Sequence, residues 1–368
     1  MKRIQDLDFS RTKLIINPSR YPQYVKLLKK TVGKANFAAI VESESREHFI
    51  QSVREFREGP LHYLLVWGGD GTAHDTINTL LENEKGRQLM GREKAVGFLR
   101  GGSGNGIQDS YEVPFSLKRQ LRAYSESTRN GFMEAVDLFE IRYSGRTEYG
   151  QLAGLGFDVK VLELRNERKK LRGKHAGYPK PGLLNYARST LKAFFRHFHI
   201  PEAYSIDLYD GRYSYRGYRV NAEFPFEQLR RDTTVPMLEI GTRPYYGHLF
   251  KVCPDVVCNN GKVDLYLFNF FERFFVLKNA YLLWRGEHGK INKKLIRKGK
   301  PVIERYQVRE VRISRDSPFY FHIDGELRQI DLPNEEGVYE IRVNVIPRVI
   351  NFIVPGTFYR KFHPDFSE

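Results

Sequence analysis

The most pointed chemistry in this chain lies in five residues, Gly68-Gly69-Asp70-Gly71-Thr72. Glycines let a backbone come close to a ligand, and successive N–H groups at such a turn attract phosphate. A carboxylate in the middle of the turn would repel a bare phosphate. Asp70 therefore points to a divalent cation, or to a hydroxyl whose proton must be removed, and both are requirements of phosphoryl transfer. The same five residues would also suit a tight strand–helix turn with Asp70 as an N-cap. A second run, Gly101-Gly102-Ser103-Gly104-Asn105-Gly106, has neither the GK[ST] ending of a Walker A loop nor GxGxxG spacing. Ser103 and Asn105 can nevertheless donate side-chain hydrogen bonds beside its backbone N–H groups. Taken alone, Asn17-Pro18-Ser19 and His322-Ile323-Asp324-Gly325-Glu326 read as turns. His197 and His199 do not share a helical face, so they make no metal pair.

The elements around these residues alternate. Leu64–Trp67 is an apolar run that stops at Gly68, and a helical face follows with Ala73, Ile77, Leu80 and Leu81. Strands are also predicted over Lys13–Ile16, Phe37–Val41 and Ala95–Leu99, with helices over Pro22–Lys30 and Arg46–Arg57. Such alternation implies a mainly parallel sheet with glycine loops at its strand ends. From about Phe132 strand-like runs dominate: Ala135–Tyr143, Tyr149–Leu155, Tyr204–Tyr209, Tyr213–Val220, Val235–Ile240, Val263–Phe268, Val308–Ile313, Phe319–Ile323 and Val338–Val345. Asp210-Gly211 predicts a hairpin between two of them, and Asn259-Asn260-Gly261 another turn. The expected plan is α/β plus β: a parallel α/β domain over 1–132 and an antiparallel β domain over 133–346. A basic helical insertion occupies about 161–199, and a tail over 347–368 could pack back on the first domain.

Length and charge bound the rest. A chain of 368 residues is too long for one ordinary core. Its net charge of +16 attracts polyanions, whether nucleic acid, anionic lipid or nucleotide phosphate. No apolar run approaches the ~18 residues that span a bilayer. The richest stretches, Leu265–Phe271 and Phe274–Trp284, are interrupted by Glu272, Arg273 and Lys278. The start, with Asp6 and Asp8, has no signal-peptide core. Cys253 and Cys258 supply no disulfide framework and no four-ligand zinc site, which fits a reducing cytoplasm. Two basic segments, Arg165–Lys174 within Arg165–Phe198 and Lys290–Lys300, are paired with aromatic residues nearby in sequence, a pattern suited to a membrane surface.

The order of the four turn motifs resembles the diacylglycerol kinase catalytic-domain family of lipid kinases, which includes the sphingosine kinases and bacterial diacylglycerol-kinase-like proteins. Asn17-Pro18-Ser19 is similar to that family's opening motif, Gly68–Thr72 to its GGDGT signature, and Gly102–Asn105 to its second nucleotide loop. Asp324-Gly325-Glu326 matches its late acidic motif. Val136-Asp137-Leu138, Gly154-Leu155-Gly156-Phe157-Asp158 and Asn260-Gly261-Lys262-Val263-Asp264 are similar to further family segments. Three positions depart from the pattern. Arg100 stands where the family usually has Pro, and Gly106 where diacylglycerol-type members have Asp. Asn260 replaces an Asp that serves a structural metal site in some bacterial members.

The resemblance implies ATP in a cleft between an α/β domain and a β-sandwich, as in NAD-kinase/diacylglycerol-kinase-like folds. It also implies Mg²⁺ and a membrane-lipid hydroxyl as acceptor, either diacylglycerol-like or a sphingoid base. On this reading Asn17, Ser19, Gly68, Gly69, Gly71, Thr72, Gly102, Ser103, Gly104 and Asn105 hold the nucleotide. Asp70 and Asp324 are placed at the metal, Asp70 and Glu326 are rival general bases, and Asp137 and Asp158 lie near the acceptor. The expected setting is cytoplasmic and peripheral to an anionic membrane, with no specific nucleic-acid partner. Three rivals stay open: an NAD-kinase-type soluble enzyme, a non-catalytic basic binder of nucleic acid or membrane, and a catalytically idle family member.

Overall fold

Two compact units divide the chain in a computed structural model. The structure describes residues 3–18, 22–172, 194–196, 202–216, 221–270 and 272–365. The first unit comprises Met1–Leu138 with Pro347–Glu368, and the second Phe139–Ile346.

In the first unit, apolar runs with few polar interruptions make central strands that are buried on both faces, the pattern that parallel sheets require. Tyr63–Gly68 lies between Asp8–Ile16 and Ala95–Arg100, with Asn36–Glu42 outside Asp8–Ile16, all parallel. Asn351 and Phe352, from the tail, pair in parallel with Ala95 and Val96 at the other edge. Helices cover both faces. Val25, Leu28 and Val32 of Pro22–Val32 share a core with Leu121 and Tyr124 of Leu117–Asn130. Arg46–Glu58, Asp70–Leu80 and Glu84–Arg92 pack against one another. The chain leaves Asp8–Ile16 toward one side of the sheet and re-enters at Tyr63–Gly68 on the other. In open α/β sheets, the crevice at such a switch of direction is where ligands bind. The loops holding Asn17 and Gly69 both leave the sheet there.

The second unit is antiparallel. Glu326–Ile330, Phe319–Ile323, Leu152–Gly156, Met237–Gly241, Val263–Phe268 and Ile303–Val308 lie side by side in that order. Glu202–Arg216 follows, pairing along its length with Asn221–Val235. Alternate side chains such as Leu155, Ile206, Leu238, Leu265, Val311 and Phe321 form its core.

One expectation fails here. Asp210-Gly211 does not turn a hairpin: Glu202–Arg216 runs straight through it. Tyr209 pairs with Gln228 and Gly211 with Phe226, so the register continues unbroken past Asp210, whose φ is 47°. Two cations hold it: Arg309 Nε lies 2.9 Å from its carboxylate and Lys262 Nζ 3.4 Å. The long partner Asn221–Val235 supplies the pairing that keeps both halves in one strand. Sequence pattern missed that partner because most of its side chains are exposed and polar.

Candidate nucleotide loops and a buried polar cluster

In the first unit the two glycine runs are laced together. Gly101 N donates to Gly68 O at 3.0 Å. The contact is too close for side chains. A methyl on Gly101 would stand 2.8 Å from Gly68 N, and one on Gly102 would run into the α-carbon of Gly69. The Asp70 carboxylate completes the lacing: Oδ2 accepts Asn105 N at 2.9 Å and Oδ1 accepts Gly106 N at 2.7 Å. A methyl on Gly104 would overlap Asp70 Oδ2. Asp70 is thus not the cap of its own helix. Gly69 holds the N-cap position of Asp70–Leu80 and supplies no side-chain bond. Its N-cap residue therefore supplies no side-chain acceptor to the first N–H groups of that helix, an arrangement that suits an anion.

Neighbouring side chains stiffen both loops. Asn105, in the left-handed region with φ of 57°, accepts Gly102 N at 3.0 Å and donates to Gly102 O at 2.9 Å. Asn17 Nδ2 donates to Thr72 Oγ1 at 3.2 Å, and its backbone N–H to Trp67 O at 3.0 Å. Arg100, the departure from the family pattern, ties the strand end down. Its guanidinium meets the buried Asp109 carboxylate at 2.7 Å and donates to Val113 O at 2.9 Å. The structure thus brings Asn17, Gly68–Thr72 and Gly102–Asn105 together in one unit. Ser19 lies outside the described residues. Asp137 is fully buried, and its Oδ1 accepts Arg348 N at 2.8 Å, tying the tail to the first unit.

The second unit holds the other acids. Asp324 and Gly325, with φ of 50° and 82°, form the two-residue turn between Phe319–Ile323 and Glu326–Ile330. Asp324 is buried: Oδ1 faces Arg243 Nη2 at 3.2 Å and accepts Gln151 N at 3.2 Å and Leu152 N at 3.1 Å. Glu326, next along, is partly exposed. Asp158 opens the helix Phe157–Arg172 and meets His322 Nε2 in a very short contact, with Glu239 Oε2 3.7 Å from the same nitrogen. Burial, then the Asp158 charge, lifts the Glu239 carboxyl to about 8. Burial alone would lower His322, but Asp158 and then Glu239 lift it to about 10. Motif reading found Asp158, took His322 only as the start of a turn although it lies near the end of a strand, and missed Glu239, which sits inside a strand with no local pattern. The Arg165–Phe198 candidate rim falls mostly outside the described residues.

Residues 11–141 match the model of the diacylglycerol kinase catalytic domain. The fold is similar to a candidate diacylglycerol kinase from Bacillus anthracis str. Sterne, with a TM-score of 0.61 at 14% identity, over 95% of this chain and 98% of that one. It is similar also to a structure described as a diacylglycerol kinase from the same organism, with a TM-score of 0.59 at 15% identity and the same coverage of 95% and 98%. At such identity the likeness is one of fold. No curated protein matches the chain.

Proposed function

We propose, from the match of residues 11–141 to the diacylglycerol kinase catalytic domain, that this protein is an ATP-dependent lipid kinase that transfers the γ-phosphate to a lipid hydroxyl. The observation that carries the proposal is the lacing of the two glycine loops by Asp70. It supports a phosphate cradle because it leaves the first turn of Asp70–Leu80 uncapped and allows backbone alone at the contact.

The residues fit Mg²⁺–ATP. The glycine loops supply backbone donors for phosphate oxygens, and Asp70, fixed beside them, supplies the anionic oxygens a cation needs. When bound, Mg²⁺ would neutralise charge on the phosphates. Asn17 and Thr72 keep the loop after the first strand against the loop after Tyr63–Gly68. Each Asp70 oxygen already accepts a backbone N–H, so Asp70 is assigned to holding the cradle and facing the cation. Glu326, partly exposed and carried on a tight two-residue turn, is assigned as the base that takes the acceptor hydroxyl proton. Asp324, engaged by Arg243 and two backbone N–H groups, is assigned to fixing that turn.

A membrane acceptor is supported by the helix Arg273–Trp284. Its inner face packs Phe275 and its neighbours into a core with Ile291 and Leu295. Its outer face presents Phe274 (87% exposed), Leu277, Tyr281 (68%) and Trp284 in one stripe. The helix that follows, His288–Arg297, adds exposed Lys290, Lys293, Lys294 and Arg297. An apolar stripe beside lysines is the make-up of a surface that lies on anionic lipid. Among the described residues, no helix is long and apolar enough to cross a membrane.

A kinase assay offering diacylglycerol, phosphatidylglycerol, sphingosine and NAD side by side tests the proposal. The expected result is ATP-dependent phosphorylation of a lipid in mixed micelles. Phosphorylation of NAD alone would move the chain to the soluble-kinase reading. ATP turnover with none of the four acceptors would remove the lipid assignment.

A further inference from the structure

We propose that Asp158, Glu239 and His322 form a binding site for a first-row divalent metal ion, Zn²⁺ or Mn²⁺, built within the second unit and separate from any cation carried by the nucleotide.

The argument begins with sheet register. Gly154 pairs with Glu239 on one neighbouring strand and with His322 on the other. Side chains in register on adjacent strands stand on the same face, with strands ~4.8 Å apart. A carboxylate and an imidazole therefore flank a residue that has no side chain. Asp158 reaches the same point from the first turn of Phe157–Arg172. The donor atoms of the three residues all lie within 4.8 Å of one another.

The three donors converge against the α-carbon of Gly154, where any side chain would stand. An atom placed there as a β-carbon would be 2.6 Å from His322 Nε2 and 2.7 Å from Glu239 Oε1, and closer still to Asp158 Oδ2. That is too tight for carbon. Only glycine therefore lets the three donors converge here, and side-chain adjustment would bring them to the ~2.0–2.2 Å at which a metal holds imidazole nitrogen and carboxylate oxygen.

The surroundings give these groups no other employment. Glu239 and His322 are fully buried and Asp158 nearly so. Outside the cluster, neither carboxylate and neither imidazole nitrogen has a hydrogen-bond partner among the described residues. Two carboxylates in a dry interior with a single imidazole between them carry a large desolvation cost, which a divalent ion offsets. Two carboxylates plus one imidazole suit Zn²⁺ or Mn²⁺ better than Mg²⁺ or Ca²⁺, which prefer oxygen alone.

The test uses the full chain without nucleotide. Protein stripped with chelator is titrated calorimetrically with Zn²⁺, Mn²⁺ and Mg²⁺, and Tm is read with and without each ion. One equivalent of Zn²⁺ or Mn²⁺ should bind and raise Tm, and Mg²⁺ should bind far more weakly. Glu239→Gln and His322→Gln should each lose affinity by about 10²-fold or more, since even partners beyond the ligands are worth 10–100-fold. Asp70→Asn should keep the site intact. Absence of equimolar binding, or binding unchanged in both ligand variants, overturns the proposal. Should the variants not fold, Co²⁺ in the wild-type chain decides. A strongly shifted, exchangeable imidazole N–H resonance is expected from ligation through His322 Nε2, and its absence overturns the site.

Discussion

Asp70→Asn separates two jobs that a single acid could hold in this protein. In the structure the carboxylate accepts Asn105 N at 2.9 Å through one oxygen and Gly106 N at 2.7 Å through the other. Asparagine keeps one acceptor and turns an NH₂ group toward the second donor. One charge-assisted hydrogen bond is lost, worth about 1.5–3 kcal/mol, and the survivor falls to roughly half its strength as the charge disappears. The sum, about 2–4 kcal/mol, corresponds to roughly 30- to 10³-fold in the closed arrangement of the second loop. Nucleotide affinity, measured by calorimetry with a non-hydrolysable ATP analogue, should fall by a factor in that range. Turnover with lipid in mixed micelles should fall by about 10²-fold or more. Circular dichroism should be unchanged, because the five parallel strands do not depend on this side chain. A fall in turnover with nucleotide affinity within about twofold of wild type would refute the clamp argument and return Asp70 to the role of base. If both quantities stay within about twofold, Asp70 does neither job.

The remaining expectations test other parts of the same reading. Gly104→Ala pushes a methyl into Asp70 Oδ2, so it should weaken nucleotide binding as Asp70→Asn does; normal affinity would show that the loops are not laced as described. Glu326→Gln should reduce turnover by about 10²-fold with nucleotide affinity unchanged, and full turnover would take Glu326 out of the chemistry. Replacing Phe274 and Tyr281 by Ser should weaken binding to anionic vesicles by at least about tenfold, since each buried aromatic is worth ~1.5–3 kcal/mol. Undiminished sedimentation with vesicles would reduce that stripe to ordinary surface. Arg243→Met leaves the buried Asp324 carboxylate without its cation and should cost about 3–5 kcal/mol in urea unfolding. A loss below about 1 kcal/mol would contradict the burial of that pair.

The parallel unit was legible because its signals are local. Buried strands read as unbroken apolar runs, and the loops that must approach one another read as glycines. The contact with Gly69 explains why Gly102 can carry no side chain, although the two are 33 residues apart. The partner of Asp70 was not legible. Alone, Asp70 looked like a cap or a catalytic acid. Its two hydrogen bonds go to Asn105 and Gly106, and no spacing rule connects positions that far apart. In the antiparallel unit the weak point was pairing. Asp210-Gly211 is a good turn dipeptide, yet the outcome was set by a partner strand whose exposed, polar residues give no alternating pattern.

The buried cluster shows the same limit most sharply. Glu239 stands in Met237-Leu238-Glu239-Ile240-Gly241, and His322 in Phe319-Tyr320-Phe321-His322-Ile323, where each interrupts an apolar strand. An acid within such a strand, at a position that should face the interior, is an anomaly that calls for a partner of opposite charge. Read one strand at a time, neither anomaly has one. Only the register, with Gly154 between them, brings the two to one point and adds Asp158 from the following helix. The glycine is as informative as the ligands: a residue without a side chain, in the middle of a buried strand, marks the space that three polar groups share. Gly154→Ala should therefore abolish metal binding as fully as loss of a ligand does, although alanine removes no donor atom. Undiminished affinity for Zn²⁺ or Mn²⁺ in that variant would mean that the ion, if bound, sits elsewhere.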